Sequence, residues 1–187
     1  MHSASFFHKN NLLKSFLFTL TILTIPLIGM LTTEEVNWDA TDFIVGGIFI
    51  YVFSMLFQLA HQATENISLK VAYGLAIVAT FLLVWVNLAV GLIGSKNEPF
   101  NLAYFSVIAT GLIGAFISKM KLQGLRNTMI AMSLNMVIIG IIALLIGMQF
   151  VYGSSTSEII RVTIMFTITF TVSAYLFHRS SFETIVE

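Results

Sequence analysis

Six apolar runs, each about as long as a bilayer's hydrocarbon layer is thick, constrain this chain more than any other feature. They cover residues 12–31, 41–60, 70–94, 100–118, 127–148 and 159–177. A helix rises 1.5 Å per residue, so about 20 apolar residues cross the roughly 30 Å layer. Lipid offers the backbone no hydrogen-bond partners, so every N–H and C=O must be satisfied within the chain, and continuous runs of this length do so as helices. The expected fold is all-α, a polytopic transmembrane helix bundle of six spans forming a single integral-membrane domain over residues 1–187. Composition agrees: 10% of the residues are charged and 57% hydrophobic, with a mean hydropathy of +0.93. Soluble domains carry about 25% charged residues. The first run follows Lys9 and resembles a signal peptide. Its length of about 20 residues and the lack of an A-x-A-like site after it predict a retained first span.

Six spans put both termini on one side. That side would hold Lys9, Lys14, Lys70, Lys119, Lys121, Arg126 and Arg179, and the other only Lys96 and Arg161. The connecting loops are short, so the positive-inside rule applies directly and predicts both ends in the cytoplasm, N-in and C-in.

Several classes of chemistry are excluded or disfavoured. Nine basic and nine acidic residues leave no net charge, which gives no footprint for nucleic acid. Cysteine is absent, which rules out disulfides and thiolate metal sites. His61 and Glu65 have a His-x-x-x-Glu spacing, but His8, His61 and His178 lie at scattered interfacial positions, so no metal and no cofactor is expected. No nucleophile–base order and no phosphate-binding loop occurs, so an enzyme is the less favoured reading. No carboxylate lies at mid-membrane depth, which counts against a proton-coupled transporter.

The polar residues worth pursuing gather around Leu83–Phe105, where a long apolar run ends at Gly91 and Gly94. A turn, Ser95-Lys96-Asn97-Glu98, follows, and Pro99 opens the next run. Asn87 precedes Gly94 by seven residues, about 10 Å below the boundary. Asn101 and Tyr104 share a helix face at the same level. With Asp42 at the start of span two and Arg161 just inside span six, they define a candidate outward polar pocket: Asp42, Asn87, Asn101, Tyr104 and Arg161. Trp38, Asp39, Ser95 and Glu98 form its outer rim. Arg161 is the only cation in this layer, so its expected counter-ion is Asp42, with Asp39 or Glu98 as substitutes. The competing reading is structural. Asp39 and Asp42 have the spacing of an N-cap and a third-position acid, Asn97-Glu98-Pro99 looks like a helix start, and Trp38 fits an aromatic belt.

Packing signals are weaker. Gly46/Gly47, Gly111-x-x-x-Ala115 and Ala143-x-x-x-Gly147 offer small residues for close helix approach, and Gln58 and Asn135 offer interhelical amides. Thr163, Thr167, Thr169, Thr171 and Ser173 punctuate the sixth span. They are read as lipid-facing hydroxyls bonded to their own helix rather than as the lining of a pore. GLIG occurs at 91–94 and again at 111–114 on spans of opposite direction, which is read as coincidence.

The segments 34–43, EEVNWDATDF, 82–105, LLVWVNLAVGLIGSKNEPFNLAYF, and 173–179, SAYLFHR, resemble a family of small bacterial six-span inner-membrane proteins. That family carries an outer Trp-x-x-x-Asp-Phe segment and a Gly-Ser-x-x-x-Pro-x-Asn-x-x-Tyr hairpin. Trp38, Asp42, Phe43, Gly94, Ser95, Pro99, Asn101 and Tyr104 match it. Where the family reads acidic, acidic, Asn, this chain has Lys96, Asn97 and Glu98. The resemblance implies a bacterial inner-membrane location and the six-span fold; no activity is assigned to the family. Beyond the lipid bilayer, the expected partners are another membrane protein or a second copy of the chain, in an accessory or interaction role. The alternative is permeation of a small solute through Asn87, Asn101, Tyr104 and the threonines of span six.

Overall fold

The computed structural model describes residues 9–34 and 36–186, and among these the chain is helical with no strand. The helices are α1 Lys9–Thr32, α2 Ala40–Gln62, α3 Ile67–Ala89, α4 Phe105–Ser118, α5 Leu122–Leu145 and α6 Thr156–Val186. A 3-10 segment, Pro99–Tyr104, leads into α4, and a shorter one, Met148–Phe150, follows α5. Counted with its 3-10 lead, α4 joins the other five in being long and apolar enough to cross a membrane. The chain is an integral-membrane helix bundle of the multi-pass class.

Two compact units divide between Ala63 and Thr64. In the first, α1 and α2 are joined by a polar ladder. Asn11 and Gln62 exchange amide hydrogen bonds in both directions, each 2.9 Å long. Next along the ladder, Ser15 Oγ accepts from Gln58 Nε2 at 2.6 Å and from Ser54 Oγ at 3.2 Å. With no hydrophobic drive between helices in lipid, such bonds and close packing hold them together. Gln58 therefore acts as the interhelical amide its sequence position implied.

The second unit is organised around α5, which packs against α4 and α6 and has the most heavily buried span. Glycines set the close approaches: Gly111 lies on Met132, Gly114 on Thr128 and Gly140 on Thr163. Asn135 Nδ2 donates to Ser106 Oγ and Thr110 Oγ1 at 3.1 and 3.2 Å, tying α5 to α4. Ser133 Oγ bonds Thr171 Oγ1 at 2.9 Å and donates to the Thr167 carbonyl at 3.3 Å, tying α5 to α6. Ser173 Oγ donates to the Ala72 carbonyl at 2.9 Å, and Tyr73 meets Phe177 edge-on, tying α6 to α3.

Three sequence expectations need correction. The threonines of span six are not uniformly lipid-facing: Thr169 bonds its own helix at Met165, but Thr163 and Thr171 meet α5. Span three was expected to run to residue 94, yet α3 stops at Ala89, because Gly91 adopts φ +85° and the following amides turn to a side chain. The basic loop expected up to Arg126 is shorter. Lys119 and Met120 make a tight left-handed turn, and α5 begins at Leu122, so Arg126 belongs to the helix.

Candidate functional site

The stretch 90–94 is apolar enough to continue α3 but is held, with the turn 95–98 after it, as a loop in which Leu92 and Ile93 are buried. Asn101 holds it. Its Oδ1 accepts from the backbone N–H of Leu92 at 3.1 Å and of Ile93 at 3.0 Å. Its Nδ2 donates to the Ile93 carbonyl at 3.0 Å and to the Ser95 carbonyl at 2.8 Å. One buried amide thus replaces the bonds that α3 would have supplied had it continued. An asparagine side chain has two donors and two lone pairs, so Asn101 is saturated.

The rest of the hairpin is built around that clamp. A Cβ on Gly91 would stand 2.5 Å from the Ser95 carbonyl oxygen and 2.7 Å from Asn101 Nδ2, so only glycine fits. The Glu98 N–H donates to the Ser95 carbonyl, and the Asn101 N–H donates to the Glu98 carbonyl, both at 3.0 Å. Pro99 then opens the 3-10 segment, where its missing N–H costs nothing. The loop after α5 packs on the hairpin: a Cβ on Gly94 would lie 3.2 Å from Val151 Cγ1 and 3.3 Å from the Tyr152 carbonyl oxygen. Phe150 and Tyr152, beside this contact, are 86% and 98% exposed.

Of the sequence-derived pocket, the structure brings Asn87 and Asn101 together. Asn87 Nδ2 donates to the Asn101 backbone carbonyl at 2.9 Å, while its Oδ1 is buried with no partner. Tyr104 is fully buried, and its hydroxyl also lacks a partner. Arg161 is exposed on α6 and donates through Nε to the Ser157 carbonyl at 3.1 Å; among the described residues of the second unit no carboxylate is in ion-pair range.

Asp42 belongs to the first unit, where it serves the start of α2. The Asp42 N–H donates to Asp39 Oδ1 at 2.9 Å, and the Asp39 N–H donates to Asp42 Oδ2 at 3.0 Å, a reciprocal capping box. Trp38 and Phe43, on either side of it, meet edge-on with ring centroids 5.2 Å apart. These are the positions of a hydrophobic staple, so WDATDF is a complete helix-start device. On the rim, Glu98 caps the 3-10 segment and Ser95 contributes its carbonyl to the clamp.

Sequence reasoning missed the Asn11–Gln62 and Ser15 rungs between α1 and α2 and, in the second unit, two further features. One is Ser133 as a bridge to α6. The other is a surface groove of about 320 Å³ lined by Arg126, Ile130, Thr171, Ala174, Tyr175 and His178. The only sequence signal for the groove was the basic character of the α4–α5 turn and of the end of α6. Among the described residues no group of three or more His, Asp or Glu side chains is placed to hold a metal ion. Comparison of the chain with protein-family models, with curated proteins and with solved structures returned no match.

Proposed function

We propose that this is a non-enzymatic accessory or interaction protein of the bacterial inner membrane, both termini cytoplasmic, which meets its partner through the platform formed by the 90–98 hairpin and the loop after α5. The observation that carries the reading is the contrast between a spent interior and an exposed rim. Asn101 has no bonding capacity left for a ligand, whereas Phe150 and Tyr152 stand almost free at the edge of the same platform. Aromatic side chains are favoured anchors at protein interfaces. The seven-to-two division of basic residues supports the orientation, and the likeness of residues 34–43 and 82–105 to small bacterial inner-membrane proteins supports the location.

Site-specific photocrosslinking tests this. A photoreactive residue at Tyr152 is expected to give one defined protein adduct in native membranes, either a partner membrane protein or a second copy. The same residue at lipid-facing Leu112 is expected to give none. Equal labelling from both positions would remove the platform from consideration.

A second reading, permeation of a small polar solute, is favoured by the buried, unpartnered Asn87 Oδ1 and Tyr104 hydroxyl. Such atoms are costly in an apolar interior unless something polar visits them. Solute flux into liposomes containing only the purified chain, lost on Tyr104→Phe, would establish that reading instead.

A further inference from the structure

We propose that the groove between the start of α5 and the end of α6 binds an anionic phospholipid, with the lipid phosphate on Arg126 and an acyl chain lying over Ile130 and Ala174. The inference rests on the membrane-spanning class of the chain. It is independent of the accessory role and of which leaflet the groove faces.

The first argument is the bonding of Arg126. Its Nε and Nη2 donate to Asn127 Oδ1 at 3.1 and 2.9 Å, and its Nη1 lies 3.0 Å from His178 Nδ1. A guanidinium has no acceptor, so His178 Nδ1 is the acceptor of this bond. Three of the five guanidinium N–H groups are used in this way. One remains on Nη1 and one on Nη2, on a cation whose two partners, Asn127 Oδ1 and His178 Nδ1, include no carboxylate. Arg126 forms no ion pair among the described residues. Its side chain is held by protein on two sides, which removes the freedom that an arginine at a helix end ordinarily uses to reach water.

The second argument is the gradient along the groove. Arg126 is four residues into the α5 span, which starts at Leu122, and His178 is three residues before the α6 span ends at Ser181. Both therefore stand near headgroup level. One turn deeper on each helix are Ile130 and Ala174, and Tyr175 forms an exposed wall. A charged end at the headgroups running into an apolar trough toward the acyl region matches a phospholipid, whereas a free anion would have no use for the trough.

The third argument is the local charge. Lys119 and Lys121, in the turn that leads into α5, are both exposed. On this end of the second unit Glu65 is held by Lys70 at 3.3 Å, and Glu183 and Glu187 follow the span in the chain. Among the described residues no carboxylate lines the groove. Basic groups near the surface attract anionic headgroups, and a fixed arginine adds a directed pair of donors.

The test is native mass spectrometry of the full chain released from detergent with phosphatidylglycerol or phosphatidylcholine of the same acyl chains. One retained phosphatidylglycerol per chain is expected, preferred about tenfold over phosphatidylcholine, the worth of one charge-assisted contact. Arg126→Gln is expected to abolish the preference. Ile130→Trp, at a half-exposed position that leaves Arg126 intact, is expected to lose most of the retained lipid, and it decides the matter if Arg126→Gln does not fold. Unchanged retention in the folded Arg126→Gln protein, or in Ile130→Trp, would overturn the proposal. Displacement of the lipid by millimolar inorganic phosphate would likewise overturn it, in favour of a free-anion site.

Discussion

Asn87 reaches across fourteen residues to Asn101 and donates to its main-chain carbonyl at 2.9 Å, so one buried asparagine braces the backbone of another. The two amides look equivalent in the sequence but do unequal work. Asn101 is bonded through both ends of its side chain, whereas Asn87 is bonded through one.

The first prediction follows from that inequality. Asn101→Ala strands the buried N–H groups of Leu92 and Ile93 and the Ile93 carbonyl. At roughly 1–3 kcal/mol for each unsatisfied group, the loss should be about 3 kcal/mol or more. Asn87→Ala removes a single interhelical bond and an already unpartnered oxygen, and should cost about 1 kcal/mol. Asn101→Asp should not rescue, because it keeps the acceptor but sets a negative charge against the Ile93 and Ser95 carbonyls. Thermal or denaturant unfolding in detergent gives the order, and equal losses at 87 and 101 would show that the clamp is not what shapes the hairpin.

Two glycines with nearly the same backbone angle should respond differently to a methyl group. Gly91 has φ +85° and no room, with the Ser95 carbonyl carbon 2.6 Å from an added Cβ. Gly147 has φ +83° and open space, its nearest contact being Phe150 Cδ2 at 3.6 Å. Gly147→Ala should cost only the left-handed backbone strain, about 1–2 kcal/mol. Gly91→Ala adds a backbone clash to that strain and should prevent folding or displace the hairpin. The yields and melting temperatures of the two purified variants provide the comparison.

These glycines also mark where the sequence ceased to be legible. Helix number and approximate position follow from run length and hydropathy, because lipid leaves so few alternatives. The end of α3 did not follow. Residues 91–94 and 111–114 are both GLIG, yet the first is a buried loop and the second a turn of α4. Local sequence cannot separate them. The difference lies in Asn101, ten residues downstream of Gly91, which takes over the amides of Leu92 and Ile93. Asp39 and Asp42 were legible as a cap from spacing alone, since both partners sit within one turn. The Arg126–His178 contact was not, because it joins residues 52 apart and depends on how α5 meets α6.

The cysteine-free sequence makes topology directly measurable. With both termini cytoplasmic, Lys96→Cys should react with a membrane-impermeant maleimide from the periplasmic side of intact cells. Lys121→Cys should react only after the membrane is permeabilised. Both positions are exposed, so slow labelling is not explained by burial. The reverse pattern would invert the orientation while leaving the helix bundle as described.

The last prediction concerns the seam between α5 and α6. Gly140 is buried against Thr163, and a Cβ there would run into the hydroxyl, the methyl group and the Cβ of that threonine. In an exposed helix, Gly→Ala is favourable by about 1 kcal/mol. Here overpacking works against it, and costs of about 1–3 kcal/mol are usual when a well-packed contact gains a carbon. Gly140→Ala should therefore be destabilising overall. Thr163 Oγ1 has no hydrogen-bond partner, so Thr163→Ala removes an unsatisfied buried atom along with the obstructing methyl. The single Thr163→Ala change should cost little. Combined with Gly140→Ala, it should restore much of the lost stability, giving a coupling of about 1 kcal/mol or more in a double-mutant cycle. Melting temperatures of the four proteins in one detergent provide the measurement. Additive effects would mean that the helices adjust around residue 140, and that the glycine does not set their separation.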